Sequence, residues 1–212
     1  MSQPDTKQRI LDAAESLFAR EGFHNTSLRA ITGRAGANLA AVNYHFGSKD
    51  ALAQAVLERR LTPLNEARRG ALEQVRQQAR GAGRPPGVEE TLRAFIEPTL
   101  AFRESGPGAR DFISLVGRAL GEPDGALRSL FMQLMQPTFQ VFFEVMREAL
   151  PQQPAPTVFW RMVFALGSMG QTLCLLDKPL PLPPGIEPTR DSQTLLGLMI
   201  PFLAAGMEAP CA

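Results

Sequence analysis

Three short apolar stripes with helical spacing follow one another at the amino terminus, each ended by a glycine and each new one begun by a capping residue. Ile10, Ala13, Ala14, Leu17 and Phe18 recur at i, i+3, i+4, i+7 and i+8, one face of a 3.6-residue period. Asp5 or Thr6 is the expected cap and Gly22 the stop. Thr26 or Ser27 then opens a second helix with Leu28, Ile31 and Ala35 inward, closed by Gly36. Asn38 opens a third, with Leu39, Val42 and Phe46 as inward anchors, and Gly47 breaks it. Ser48 caps a long fourth helix, from about Lys49 to Gln78. So compact a succession leaves room for little besides a three-helix head with a helix-turn-helix inside it.

The rest of the chain continues in the same idiom. After the breaker at 80–87 (RGAGRPPG), helical patterns run at about 88–104, 109–121, 124–150, 155–177 and 190–208, with Gly- and Pro-rich breaks between them. No stretch alternates with period two and β-branched residues never cluster, so the fold class reads as all-α. The division expected is a helix-turn-helix domain over 1–47 and a larger helical body over 48–212, with helix 48–78 as connector. Thr157 to Leu176 is long and apolar enough to be considered as a membrane span. Arg161, Ser168, Gln171 and Thr172 interrupt it, which favours a buried helix and no membrane partner. Arg161 itself has two readings, a ligand carboxylate or a route to solvent.

Bulk charge points to no polyanion, because the formal net charge is only +1. Its distribution does. From Gly22 to Lys49 there is no acidic residue, while Arg29, Arg34, Lys49, both histidines (His24, His45) and the only tyrosine (Tyr44) fall there. Phosphate contact needs such a local excess. Helix amino termini at Thr26/Ser27 and Ser48 add backbone N–H donors. Taken singly, each residue has an ordinary explanation: Tyr44 as a core aromatic, His45 or Lys49 as solvated surface. The two cysteines, Cys174 and Cys211, have neither disulfide nor metal spacing, and Met1 to Asp5 lacks the apolar core of a signal peptide. A reducing cytoplasm is the expected compartment, with no metal and no cofactor. No Gly-rich phosphate loop, nucleophile motif or paired carboxylates suggest an enzyme.

In combination, residues 26–52 (TSLRAITGRAGANLAAVNYHFGSKDAL) resemble the DNA-binding domain of the TetR family of bacterial regulators, over about residues 8–56. The resemblance implies phosphate-contacting roles for Thr26, Ser27, Tyr44, His45 and Lys49, with Arg29 among the DNA-contacting positions. The third helix (Asn38, Leu39, Ala40, Ala41, Asn43) would lie in the major groove. Asn suits adenine and the alanine methyls suit thymine. With two alanines facing the bases, direct readout is expected to be thin, and DNA shape to supply some specificity.

The family also implies a homodimer on a double-stranded, pseudo-palindromic operator, joined through helices 155–177 and 190–208. Gly167, Ser168, Gly170, Leu195, Leu198, Met199, Phe202 and Gly206 suit that role, although packing within the chain accounts for them equally. Phe95, Phe102, Phe112, Phe131, Met135, Phe139, Phe142, Met162, Leu166 and Met169 read first as core. They are also the candidate lining of a pocket for a small apolar ligand. The stretch NLAAVNYHFGSK resembles the subset of the family associated with fatty-acid metabolism, which implies an acyl ligand. The function expected is a sequence-specific, ligand-released repressor. A non-specific architectural DNA binder, or a ligand- or partner-binding protein with a vestigial head, remain open alternatives.

Overall fold

The computed structural model describes residues 5–121, 125–176, 182–187, 189 and 191–210. Among them are nine α-helices and no strand: α1 (Thr6–Glu21), α2 (Leu28–Ala35), α3 (Leu39–His45), α4 (Lys49–Gly81), α5 (Val88–Glu104), α6 (Pro107–Gly121), α7 (Ala126–Ala149), α8 (Ala155–Leu175) and α9 (Ser192–Glu208). Pro123, Pro179, Pro181, Pro188, Cys211 and Met1–Pro4 lie outside the described residues, as do the helix ends expected at 124, 177 and 190.

The described residues fall into two compact units. The first comprises residues up to Pro63 together with Arg103–Met135; the second comprises Leu64–Phe102 and residues from Gln136 onward. In the first, α1 packs along α6, while α2 and α3 pack on α1 and on each other. Ile10, Ala14, Leu17 and Phe18 are buried as their spacing predicts. The cap before them differs from expectation. Asp5 sits at the N-cap position of α1 but its side chain makes no capping hydrogen bond.

A buried carboxylate ties α1 to α4. Glu15 is 2 % exposed. It accepts from Arg60 Nε at 3.1 and 3.2 Å and Nη2 at 2.9 Å, and from Arg59 Nη2. Arg59 Nη1 also donates to Asp12 at 2.6 Å. Arg118 of α6 donates to the Arg20 carbonyl at 3.2 Å, near the carboxyl end of α1. A buried charge left without partners is costly, so two guanidinium groups at one carboxylate constrain the position of α1 closely.

In the second unit Phe95 of α5 stacks on Phe142 of α7, with centroids 4.3 Å apart. The Arg68 guanidinium lies 4.4 Å from the Phe95 ring centre and donates to Asn65 Oδ1 (3.0 Å) and Thr99 Oγ1 (2.8 Å). Burial pushes its pKa down to about 10. Arg69 reaches the buried Thr138 hydroxyl at 2.8 Å, and Arg76 reaches Glu144 and Glu148. The helical pattern expected from about 109 begins two residues later than α6 does. Pro107 opens α6, a position where its missing N–H costs nothing.

Two expectations for α8 are corrected. First, it is not buried all round. Val158, Met162, Ala165, Met169 and Leu173 face the core, whereas Phe159, Trp160 and Phe164 are 39 %, 57 % and 65 % exposed. It is long and apolar enough to cross a membrane, a test that a core helix of a soluble protein also passes. Second, the Arg161 guanidinium is half-buried and bonded within the chain. Its Nη1 donates to the Met207 carbonyl (2.8 Å) and Gln153 Oε1 (2.7 Å), and its Nη2 to the Pro210 carbonyl (3.3 Å). Met207 lies in the last turn of α9 and Pro210 just beyond it, where a cation also meets the negative end of the helix dipole. Replacing Arg161 by Met should therefore lower stability by about 2 kcal/mol. In thermal melts of a chain this size that is roughly 4–8 °C; an unchanged melting temperature would show that water serves these carbonyls equally well.

Candidate nucleic-acid interface

The turn between α2 and α3 is built from one left-handed residue and two caps. Gly36 has φ 58°, which a side chain at this position would disfavour, and the amide of Ala37 closes on the Thr32 carbonyl at 3.0 Å. Ser27 accepts from the Ala30 amide at 3.1 Å and Asn38 from the Ala41 amide at 2.8 Å, so each helix begins with a satisfied donor. Ser48 does the same for α4, accepting from Ala51 at 3.0 Å. A tie that sequence reasoning missed comes from α1: Arg9 Nη1 donates to the Gly36 carbonyl at 3.4 Å and Nη2 to Thr6 Oγ1 at 3.2 Å.

The eleven candidate contact residues are not equivalent. Ser27, Arg29, Asn38, Ala40 and Asn43 are exposed, and Ala41, His45 and Lys49 half-buried. Tyr44 is 86 % exposed, so it is no core aromatic. Its ring meets only the edge of His45, 5.1 Å between centroids. Thr26 departs from expectation. It is 1 % exposed, and its hydroxyl donates to the Gly22 carbonyl at 2.8 Å. That hydroxyl closes the α1–α2 connection and is withdrawn from any surface contact; Ser27 alone caps α2. Leu39 is corrected in the opposite sense. It is 45 % exposed, so Val42, fully buried, anchors α3, with Phe46 half-buried beside it. An apolar side chain at the exposed start of α3 suits a thymine methyl better than solvent.

Lys49 holds a second job. Its Nζ lies 4.5 Å from the Phe23 ring centre and 3.4 Å from the His24 carbonyl. Burial lowers its pKa from the ordinary lysine value, and the Asp50 charge pulls partly back. Close by, Phe23, Ala53, Leu127 and Leu130 with Asp50 and Gln54 line an open groove of about 250 Å³. None of the ten candidate pocket residues lines it. Phe112, Phe131 and Met135 belong to the first unit and the other seven to the second. Phe95, Phe142 and Met162 are essentially fully buried. Among the described residues no group of His, Cys, Asp and Glu is arranged to hold a metal ion.

Residues 10–56 match the family model described as bacterial regulatory proteins, tetR family, and residues 93–206 that described as tetracyclin repressor-like, C-terminal domain. The transcriptional regulator SrpR of Pseudomonas putida is 29 % identical over 153 residues, 72 % of this chain and 64 % of that protein. UidR of Escherichia coli K12 is 41 % identical over 56 residues, 26 % of this chain and 28 % of its own length. The chain thus matches less than two thirds of either curated relative. Among solved structures, FadR from Bacillus subtilis in complex with stearoyl-CoA superposes with a TM-score of 0.68 at 14 % identity, over 94 % of this chain and 98 % of that one.

The burial of these side chains separates two substitutions. Thr26→Val should cost about 1–2 kcal/mol in urea or thermal unfolding, because it leaves a buried carbonyl short of its donor. Tyr44→Ala should stay within about 0.5 kcal/mol of the parent. Equal losses at the two sites would mean that Tyr44 is held by the fold.

Proposed function

This chain belongs to the tetR family of bacterial regulatory proteins, and on that footing we propose that it is a cytoplasmic, DNA-binding transcriptional repressor, acting as a homodimer released from its operator by a small apolar ligand. The observation that carries the reading is the Tyr44 ring, left 86 % exposed on a segment free of carboxylates from Gly22 to Lys49. An aromatic phenol that the fold does not cover, in the same acid-free segment as Arg29, His45 and Lys49, is suited to a phosphate backbone. Residues 1–47 are in this reading the DNA-binding head, 48–212 the ligand-binding and dimerisation body, and helix 48–78 the connector.

Two observations support the dimer. Leu198 and Phe202 on α9 are 65 % and 70 % exposed, and Trp160 and Phe164 on α8 comparably so. At Gly167, Gly170, Gly197 and Gly206, apart from their own helix, no described residue comes within 4 Å of where a Cβ would stand. A second copy laid against α8 and α9 would use both the small and the large residues. The pair would set two α3 helices about 34–36 Å apart, one turn of DNA.

For the ligand we propose a fatty acid or acyl derivative. The support is the concentration of Phe and Met from Phe95 to Met169 and the likeness in fold to a regulator solved with stearoyl-CoA. Phe95, Phe102, Phe112, Phe131, Met135, Phe139, Phe142, Met162, Leu166 and Met169 are the proposed lining. A ligand releases DNA only in proportion to its preference for the state that binds DNA poorly.

Genomic binding-site selection with the purified protein, repeated with long-chain acyl-CoA, tests the whole proposal. Recovery of a pseudo-palindrome whose binding weakens on acyl-CoA addition is the expected result; recovery of random fragments would instead fit an architectural DNA binder. In gel shifts, Tyr44→Ala and Lys49→Ala should each weaken binding to every sequence by roughly tenfold, and Lys49→Ala alone should also reduce the salt slope by about 1. Asn43→Ala should change base preference instead. Phe202→Glu should yield a folded monomer in sedimentation that has lost operator affinity; a dimer of parental affinity would place the interface elsewhere.

A further inference from the structure

We infer that Glu15 is a positioning residue for DNA reading, setting through Arg59 and Arg60 the angle at which the head leaves α4, and that Gly108 is the clearance this grip requires. The inference rests on the operator-binding reading above. Glu15 lies on the inward face of α1, one helical turn from Leu11 and from Phe18, where an apolar residue would serve packing better. Its side chain is 3 % exposed, against 19 % for Arg59 and 27 % for Arg60. Arg60 holds it by Nε and Nη2 together, and Arg59 by Nη2 from the neighbouring position of α4. A two-toothed guanidinium–carboxylate pair fixes direction as well as distance. That pair from Arg60, with the single bond from Arg59 and its second bond to Asp12, all from adjacent positions on one helix, leaves α1 little freedom to roll or slide along α4.

Gly108 shows how closely this junction is fitted. It stands in the first turn of α6, and a Cβ there would lie 2.5 Å from Arg60 Nη2 and 3.3 Å from Glu15 Oε1. The atom it would strike is the tip of a flexible side chain, so a methyl group displaces the guanidinium and leaves the backbone where it is. In a helix, alanine is otherwise the better residue. The position thus gives up helix propensity and in return lets Arg60 keep its hold. Glu15 reads no base, so its influence on DNA is felt through where α3 is carried. In a dimer that influence is the separation of the two half-sites.

The test uses the full chain and synthetic DNA bearing two selected half-sites at every centre-to-centre spacing across one helical turn. The parent should prefer one spacing. Gly108→Ala, Arg60→Lys and Glu15→Gln should each shift that optimum by about one base pair or more, or flatten the profile, with base preference inside a half-site unchanged. Gly108→Ala keeps every charged residue in the chain, and its gain in helix propensity offsets part of the cost of displacing Arg60; a cooperative melt shows that it is folded, so its profile is readable even if Glu15→Gln unfolds. A Gly108→Ala protein with the parental spacing profile would overturn the inference. A parent with no spacing preference at all would overturn the dimeric operator reading instead.

Discussion

The first unit is organised around one carboxylate held between two guanidinium groups. Burying Glu15 is unfavourable on its own, and the exchange of water for Arg59 and Arg60 returns little net free energy. What it returns is geometry. Apolar contacts between α1 and α6 allow sliding by fractions of a turn at modest cost, because hydrophobic burial is non-directional. The pair at Glu15 does not. It is satisfied at one register only, and α2 and α3, which pack on α1, inherit that register.

The same division of labour recurs wherever a helix ends. Ser27, Asn38, Ser48 and Asp191 each accept from the amide three residues on, Thr26 closes the link behind α1, and Arg161 donates to the Met207 carbonyl in the last turn of α9. Apolar stripes decide which faces turn inward; these polar contacts decide where each helix starts, stops and meets its neighbour. In the head the two roles are interleaved so tightly that Thr26 and Ser27, adjacent in sequence, point in opposite directions. One is sealed inside and the other caps at the surface.

Much of this was legible from residue order. The stripes at Ile10 to Phe18, the glycines at 22, 36 and 47 and the caps at Asn38 and Ser48 read directly as helices and turns, because period, left-handed glycine and side-chain oxygen are local signals. What escaped was long-range. Nothing near Leu39 tells that Val42 alone fills the anchor site, since both fit the same stripe. Nothing near Arg161 points to its partner at the Met207 carbonyl, 46 residues away in sequence. Glu15 did leave a trace, an acid inside an apolar stripe, but its partners lie 44 and 45 residues on. The packing of α6 against α1 carried no trace at all. For the proposed ligand site, the aromatic and thioether side chains look the same in composition whether they fill a core or line a cavity.

The distribution of chromophores has a practical consequence. The chain has one tryptophan and one tyrosine. Trp160 stands on the outward face of α8, and Tyr44 at the end of α3, both substantially uncovered. Indole and phenol emission therefore arise from two different surfaces of the same molecule, with no buried copy of either to contribute background. The unlabelled protein thus carries separate optical reporters, one on α8 and one on α3.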